Sequence, residues 1–163
     1  MTELRIRQAV RALLVTPDQH ILLVRFEFPD ATVWSLPGGG IDPGESDLDA
    51  LHRELIEEVG LHEPVVGAHV WNREHIIPHE DGRWDGQQDR YFVVEARDRF
   101  EPAPALSWEQ LRAERLHELR WWHLDDIESA TTEGVWFSPR RLGGLLRQLV
   151  DDGPPATPLD TGV

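Results

Sequence analysis

Glu54, Glu57 and Glu58 stand at positions i, i+3 and i+4 of a segment with helical spacing. Those offsets put three carboxylates on one face of a helix. Like charges one turn apart repel by roughly a few tenths of a kcal/mol. Such a face suits a hard cation such as Mg²⁺, which prefers oxygen ligands and bridges carboxylates to substrate phosphates. Arg53 adjoins the cluster and lies one turn from Glu57, within reach of an ion pair. Taken alone, an acidic run on a helix is more often a solvated face than a site. The surrounding residues must decide between the two readings.

The carrier helix is well punctuated. Residues 46–59 read as helical, with Ser46 as N-cap and Asp49 as its capping partner. Leu48, Leu51, Leu55 and Val59 form one apolar stripe. Gly60 suits the left-handed position that ends a helix. Upstream, residues 4–16 and 20–28 read as strands joined at Thr16–Gln19, and 29–45 as mostly loop, broken by Pro29-Asp30 and Leu36–Gly40. Downstream, Val65–Ile77 and Arg90–Ala96 read as strands flanking a hairpin loop, Pro78–Asp89, with two Asp-Gly pairs. Residues 108–116 suggest a short helix, Leu119–Leu124 a strand, and Pro139–Val150 an amphipathic helix. The expectation is an α/β (α+β) domain over 1–150, a mixed sheet with helices on its faces, followed by a disordered tail at 151–163 rich in Pro, Gly and Asp.

The spacing before the cluster reverses the bland reading. From Gly39 the chain runs five residues to Glu45, seven more to Arg53, then Glu54-Leu55-Ile56-Glu57-Glu58-Val59-Gly60-Leu61. This resembles the Nudix box, G-x5-E-x7-R-E-U-x-E-E-x-G-U with U apolar, at every defined position. The approach Trp34-Ser35-Leu36-Pro37-Gly38-Gly39-Gly40 is also similar to the family's. The resemblance implies a Nudix-type α/β/α sandwich with a mixed central sheet. It implies Glu54, Glu57 and Glu58 as metal ligands, with Glu54 also a candidate general base. Arg53 would orient the carboxylates, Glu45 would support Arg53, and the Gly38 carbonyl would complete the metal site. The implied reaction is Mg²⁺-dependent (or Mn²⁺-dependent) hydrolysis, NDP-X + H₂O → NMP + P-X. Glu114 and Glu118 are candidate bases outside the box.

Substrate contacts are weaker expectations. Trp34 and Trp84 are candidates to stack on a base. Arg25 and Arg73, with Arg83 and Arg90, are candidates to clamp a phosphate, and Gln87 and Gln88 to bond a base or sugar. His75 and His79 flank Pro78, so they do not form a helical zinc pair and read as structural or solvated. The family resemblance extends to a proline shortly after the box, loosely matched by Pro78, and so implies an ADP-ribose or nucleotide-sugar substrate. A nucleoside triphosphate pyrophosphohydrolase acting on oxidised dNTPs and a non-catalytic nucleotide-sensing module are the alternatives. The second fits poorly, because every box glutamate is present.

Composition sets the outer limits. Across 163 residues there are 30 acids and 16 bases, all of the latter arginine, for a net charge of −14. That balance disfavours general nucleic-acid binding, and with it an RNA 5′-end substrate, while leaving a small nucleotide diphosphate open. No cysteine is present, which excludes disulfides and thiolate metal sites. No apolar run is long enough to span a membrane, and the first residues lack the apolar core of a signal peptide, so the expected location is cytoplasmic. The family resemblance makes a homodimer one expected assembly.

Overall fold

The computed structural model describes residues 2–163. Strand β1 (Ile6–Val15) is central, and its side chains alternate between the two faces of the sheet. Val10, Ala12 and Leu14 enter one apolar core and Leu13 the other. Around it lie β2 (His20–Phe28), β3 (Ala31–Ser35) and β4 (Gly38–Gly40). Helix α1 (Asp47–Val59) follows, then β5 (Val66–His75) and β6 (Gly86–Glu95). The chain continues through α2 (Trp108–Ala113), β7 (Leu116–His123), α3 (Leu124–Thr132), α4 (Leu142–Asp152) and β8 (Leu159–Asp160).

The sheet runs β3-β2-β1-β6-β5-β8, with β4 added to β1 and β7 to β2. It is mixed: β1 and β6 run parallel in register from Ile6↔Gly86 to Val15↔Glu95, whereas β5 and β6 are antiparallel. Ala50, Leu51, Leu55 and Val59 of α1 cover one face against Val10, Ala12, Phe92 and Val94. Ile127 of α3 and Leu142, Leu145 and Leu146 of α4 cover the other against Leu13, Trp71, Tyr91 and Trp122. The architecture is the expected α/β/α sandwich.

The helix that carries the glutamates is built as its sequence requires. Ser46 Oγ accepts from the Asp49 N–H at 3.1 Å. Gly60 has φ 78°, and an added Cβ would lie 2.0 Å from the Ala103 carbonyl, so both backbone angle and space demand glycine. Leu48 departs from the expected stripe: it is 49% exposed, because α1 begins to be buried only at Ala50.

Other boundaries also differ. The segment 29–45, expected as mostly loop, contains β3 and β4, because Ala31–Ser35 pairs with β2 and Gly38–Gly40 with β1. β6 starts at Gly86, since its parallel ladder with β1 begins there rather than at Arg90. Helix α3 was not anticipated; its buried face is Leu124, Ile127 and Ala130 at steps of three. The segment expected as a disordered tail from Asp151 finishes α4 and then adds β8 beside β5. Thr161 N–H donates to the Asn72 carbonyl at 2.9 Å, and Leu159 packs on the core. Among the described residues no helix is long and apolar enough to cross a membrane.

Candidate active site

Helix α1 and strand β4 bring the glutamates against a glycine ribbon. Gly38 has φ 144°, and its N–H donates to Glu58 Oε2 at 3.0 Å. Gly39 leaves space that Glu54 occupies: a Cβ there would lie 2.5 Å from Glu54 Oε1. Glu54 and Glu58 are buried, at 7% and 3% exposure, and Glu57 is half-buried on the same face. Burial pushes the Glu54 carboxyl above its ordinary range, with Arg53 opposing. Burial, and then repulsion from Glu54, pushes Glu58 well above its range.

Arg53 ties this face together. Its Nε donates to Glu45 Oε2 and its Nη2 to Glu45 Oε1, each at 2.9 Å. Nη2 also reaches the Gly40 carbonyl at 2.9 Å, while Nη1 reaches Glu54 Oε1 at 2.9 Å and Glu57 Oε2 at 3.4 Å. Hydrogen bonds from Arg53 and from the Asp42 backbone hold the Glu45 carboxyl down at about 2.

A second ionic layer lies beyond the apolar core on the α3/α4 face of the sheet. It runs through Arg7, Arg11, Arg73, Gln87 and Asp89. Arg11 donates from Nε to Asp89 Oδ1 at 2.9 Å and from Nη1 to the Gly38 carbonyl at 3.1 Å. Gln87 Nε2 also donates to Asp89 Oδ1 at 2.9 Å, and Arg73 Nη1 stands 3.6 Å from Oδ2. Burial raises the Asp89 carboxyl, but Arg11, Gln87 and Arg73 together leave it below its ordinary value. Arg7 bonds Gln87 Oε1 at 3.1 Å and lies against Gly40, so it joins this layer to the glutamate helix. Arg7, Arg11 and Asp89 were not anticipated. The readable signal was Arg11, a charge inside the apolar run Ala9–Val15, which must be paired if it is buried.

Several expected substrate contacts are engaged elsewhere. Trp34 is 5% exposed in the core, edge-on to Trp122 and under the Arg120 guanidinium, so it offers no face to a base. Arg25 pairs with Glu27 and with Glu118, the latter at 3.1 Å. Arg90 docks α1 onto β6 through a bidentate pair with Asp47, both bonds 2.7 Å. Trp84 stays half-buried in the β5–β6 loop, where its carbonyl accepts from the His79 N–H. Glu118 is partly buried, which would raise its carboxyl, but bonds from Arg120 and Arg25 keep it below the usual range. Glu114 differs: it is exposed, yet partial desolvation and then the Glu57 charge raise it, with Arg7 and Arg53 opposing.

The donor set on α1 fits a hard divalent cation. Two buried carboxylates and a half-buried third are oxygen donors, and the Gly38 carbonyl, which accepts from Arg11 Nη1, belongs to the residue whose N–H binds Glu58. Among the described residues no three His, Cys, Asp or Glu side chains already converge closely enough to hold a metal ion by themselves. An open set is compatible with Mg²⁺, which keeps several waters and shares substrate phosphates.

Comparison with known proteins gives one consistent result. The family model described as NUDIX domain matches residues 5–147. An RNA pyrophosphohydrolase of Helicobacter pylori (strain G27) is 35% identical over 104 residues, which are 58% of this chain and 66% of that protein. The match thus spans just under two thirds of that relative's length. An RNA pyrophosphohydrolase of Wolbachia pipientis subsp. Culex pipiens is 30% identical over 130 residues, 74% of this chain and 76% of that protein. The crystal structure of a MutT NUDIX hydrolase from Burkholderia pseudomallei is 29% identical, covers 74% of this chain and 85% of its own, and has a TM-score of 0.52.

Proposed function

This chain belongs to the NUDIX domain family, and from that premise we propose that it is a divalent-metal-dependent pyrophosphohydrolase whose substrate is the 5′-triphosphate end of RNA. The balanced reaction is pppRNA + H₂O → pRNA + PPi. The observation that carries the hydrolase reading is the α1 face: Glu54 and Glu58 are buried against Gly39 and Gly38, Glu54 oriented by Arg53 and Glu58 by the Gly38 N–H. Relatives named RNA pyrophosphohydrolase support the RNA end over the ADP-ribose type that Pro78 suggested. The net charge of −14 argued against RNA, but Arg7, Arg11 and Arg73 beside Asp89 make the region next to the glutamates locally cationic.

Glu54, Glu57 and Glu58 would hold the Mg²⁺, with the Gly38 carbonyl as a further oxygen donor. When bound, the ion would neutralise phosphate charge and lower the pKa of the attacking water. Arg53 fixes the carboxylates, and Glu45 fixes Arg53. Gly38 N–H sets the rotamer of Glu58. Glu114, with its raised carboxyl near Glu57, would take the proton from water, and Glu54 is the second candidate for that role.

The test is turnover with Mg²⁺ on a 5′-triphosphate oligoribonucleotide, ATP, 8-oxo-dGTP and ADP-ribose, with products resolved by chromatography. Pyrophosphate and 5′-monophosphate RNA at the highest kcat/KM are expected. Preferred cleavage of ADP-ribose to AMP and ribose 5-phosphate would overturn the substrate assignment. No turnover of any of them would overturn the hydrolase reading.

A further inference from the structure

Two polar atoms near Asp89 have no hydrogen-bond partner among the described residues although both are buried: Arg73 Nε and His75 Nδ1. They sit two residues apart on β5, so their side chains share one face of the sheet. In register, Arg73 lies opposite Asp89 and His75 opposite Gln87, and Arg7 lies beside Gln87 on the far side. The Arg73 side chain is 12% exposed, and its one ionic contact among the described residues is Nη1 to Asp89 at 3.6 Å, longer than a hydrogen bond. Asp89 already accepts from Arg11 and Gln87 at 2.9 Å each. Two guanidiniums, those of Arg11 and Arg73, therefore share the Asp89 carboxylate within this layer. Arg7 has Gln87 as its hydrogen-bond partner rather than a carboxylate. Buried donors left without acceptors are rare in folded proteins, and a ligand is one remedy.

We propose that Arg73 and His75 form a subsite for the terminal phosphate of the substrate, next to Arg7 and separated from the glycine ribbon by the strands β1 and β6. Arginine's planar fork matches phosphate oxygens, and Arg73 keeps Nε free for that bond. Arg11 links the subsite to the ribbon, since it holds Asp89 on one side and the Gly38 carbonyl on the other. The ligand class is a polyphosphate chain with an unsubstituted end, as in a 5′-triphosphate. A dinucleotide or nucleotide-sugar, whose two phosphates are both esterified, would leave the subsite unused. This inference rests on the proposed pyrophosphohydrolase reading.

The experiment pairs binding with turnover. Arg73→Met, Arg73→Lys and His75→Asn are titrated with inorganic tripolyphosphate in EDTA by calorimetry, then assayed with Mg²⁺ on triphosphate RNA and on ADP-ribose. Arg73→Met should weaken tripolyphosphate binding at least tenfold. It should raise KM for triphosphate RNA about as much, with kcat and any ADP-ribose cleavage little changed. Arg73→Lys retains the charge beside Asp89 and guards against misfolding; it should recover little, because it lacks Nε. His75→Asn should show a smaller loss of the same kind. Unchanged tripolyphosphate binding in folded Arg73→Lys and His75→Asn overturns the subsite, whatever the turnover. Equal losses on both substrates do so too, since they indicate a general structural role. A wild-type protein that binds tripolyphosphate through Arg73 yet hydrolyses nothing keeps the subsite and removes the hydrolase reading.

Discussion

Arg53 grips both oxygens of Glu45 across eight residues of chain, at 2.9 Å each, and spends its remaining nitrogen on Glu54 and Glu57. Only a planar fork can do both at once, so lysine is no substitute. Arg53→Lys should lower kcat by about 10- to 100-fold, in the range found when a partner that orients metal ligands is lost. Its circular dichroism should match the wild type. Full activity in Arg53→Lys would mean that the glutamates position themselves.

The same pair has a pH signature. Bonds from Arg53 hold the folded-state carboxyl of Glu45 at about 2, below its ordinary 4.5. A depressed carboxylate stabilises the fold above its unfolded-state pKa and loses that contribution as pH falls through its folded pKa. The Tm difference between wild type and Glu45→Gln should therefore be full at pH 6 and shrink steadily below pH 4.5. A difference that stays constant to pH 3 would show that the two states bind the same number of protons at this site.

Glu58 works in the opposite sense. Burial raises its carboxyl well above the usual value, so its charge costs stability, and the cost grows as pH rises. Glutamine can still accept the Gly38 N–H. In EDTA at pH 8, Glu58→Gln should melt above the wild type by roughly 2–4 °C, the shift about 1 kcal/mol produces in a chain this size. That advantage should shrink at pH 5 and on adding Mg²⁺, while activity falls by orders of magnitude. A melting point below wild type in EDTA would show that the carboxylate is compensated without a cation.

The helix, its caps and the shared face of the box glutamates were legible because each depends on local spacing: Ser46, Gly60 and the Glu54–Glu58 offsets all lie within one element. The strands β3 and β4 were not, since glycines and a proline signal a loop locally, and only the ladder with β1 makes Gly38–Gly40 a strand. β8 was hidden for the same reason; two residues gain strand character only from the free edge of β5. Trp34 misled because an aromatic beside a glycine loop reads alike whether it faces solvent or Trp122. The Arg11–Asp89 pair joins residues 78 apart, a separation at which spacing carries no information.

Gly39 can be tested by the smallest possible addition. A Cβ there would stand 2.5 Å from Glu54 Oε1, far inside contact distance, and the end of a side chain can move where backbone cannot. Gly39→Ala should therefore fold and displace Glu54, with at least a tenfold loss of kcat and weaker Mn²⁺ binding by electron paramagnetic resonance. Gly38→Ala meets the Val10 carbonyl at 2.0 Å instead and should lower Tm as well. Wild-type Mn²⁺ affinity in Gly39→Ala would remove Glu54 from the metal site.

Glu114 and Glu118 lie four residues apart, yet only Glu118 is held by arginines among the described residues. Glu118 accepts from Arg25 at 3.1 Å and from Arg120 at 3.0 Å, and those bonds hold its proton affinity below the ordinary range. Among the described residues Glu114 carries no such pair, and although exposed it is raised above its ordinary range by partial desolvation and the Glu57 charge. Glu114→Gln should lower kcat by about 10²–10⁴-fold, the usual contribution of general base catalysis, and remove the acidic limb of the kcat–pH profile. Glu118→Gln should leave kcat within a few-fold of wild type and shift no limb. If Glu114→Gln instead retains the acidic limb at full height, the base lies within the box, and Glu54 is the residue to substitute next.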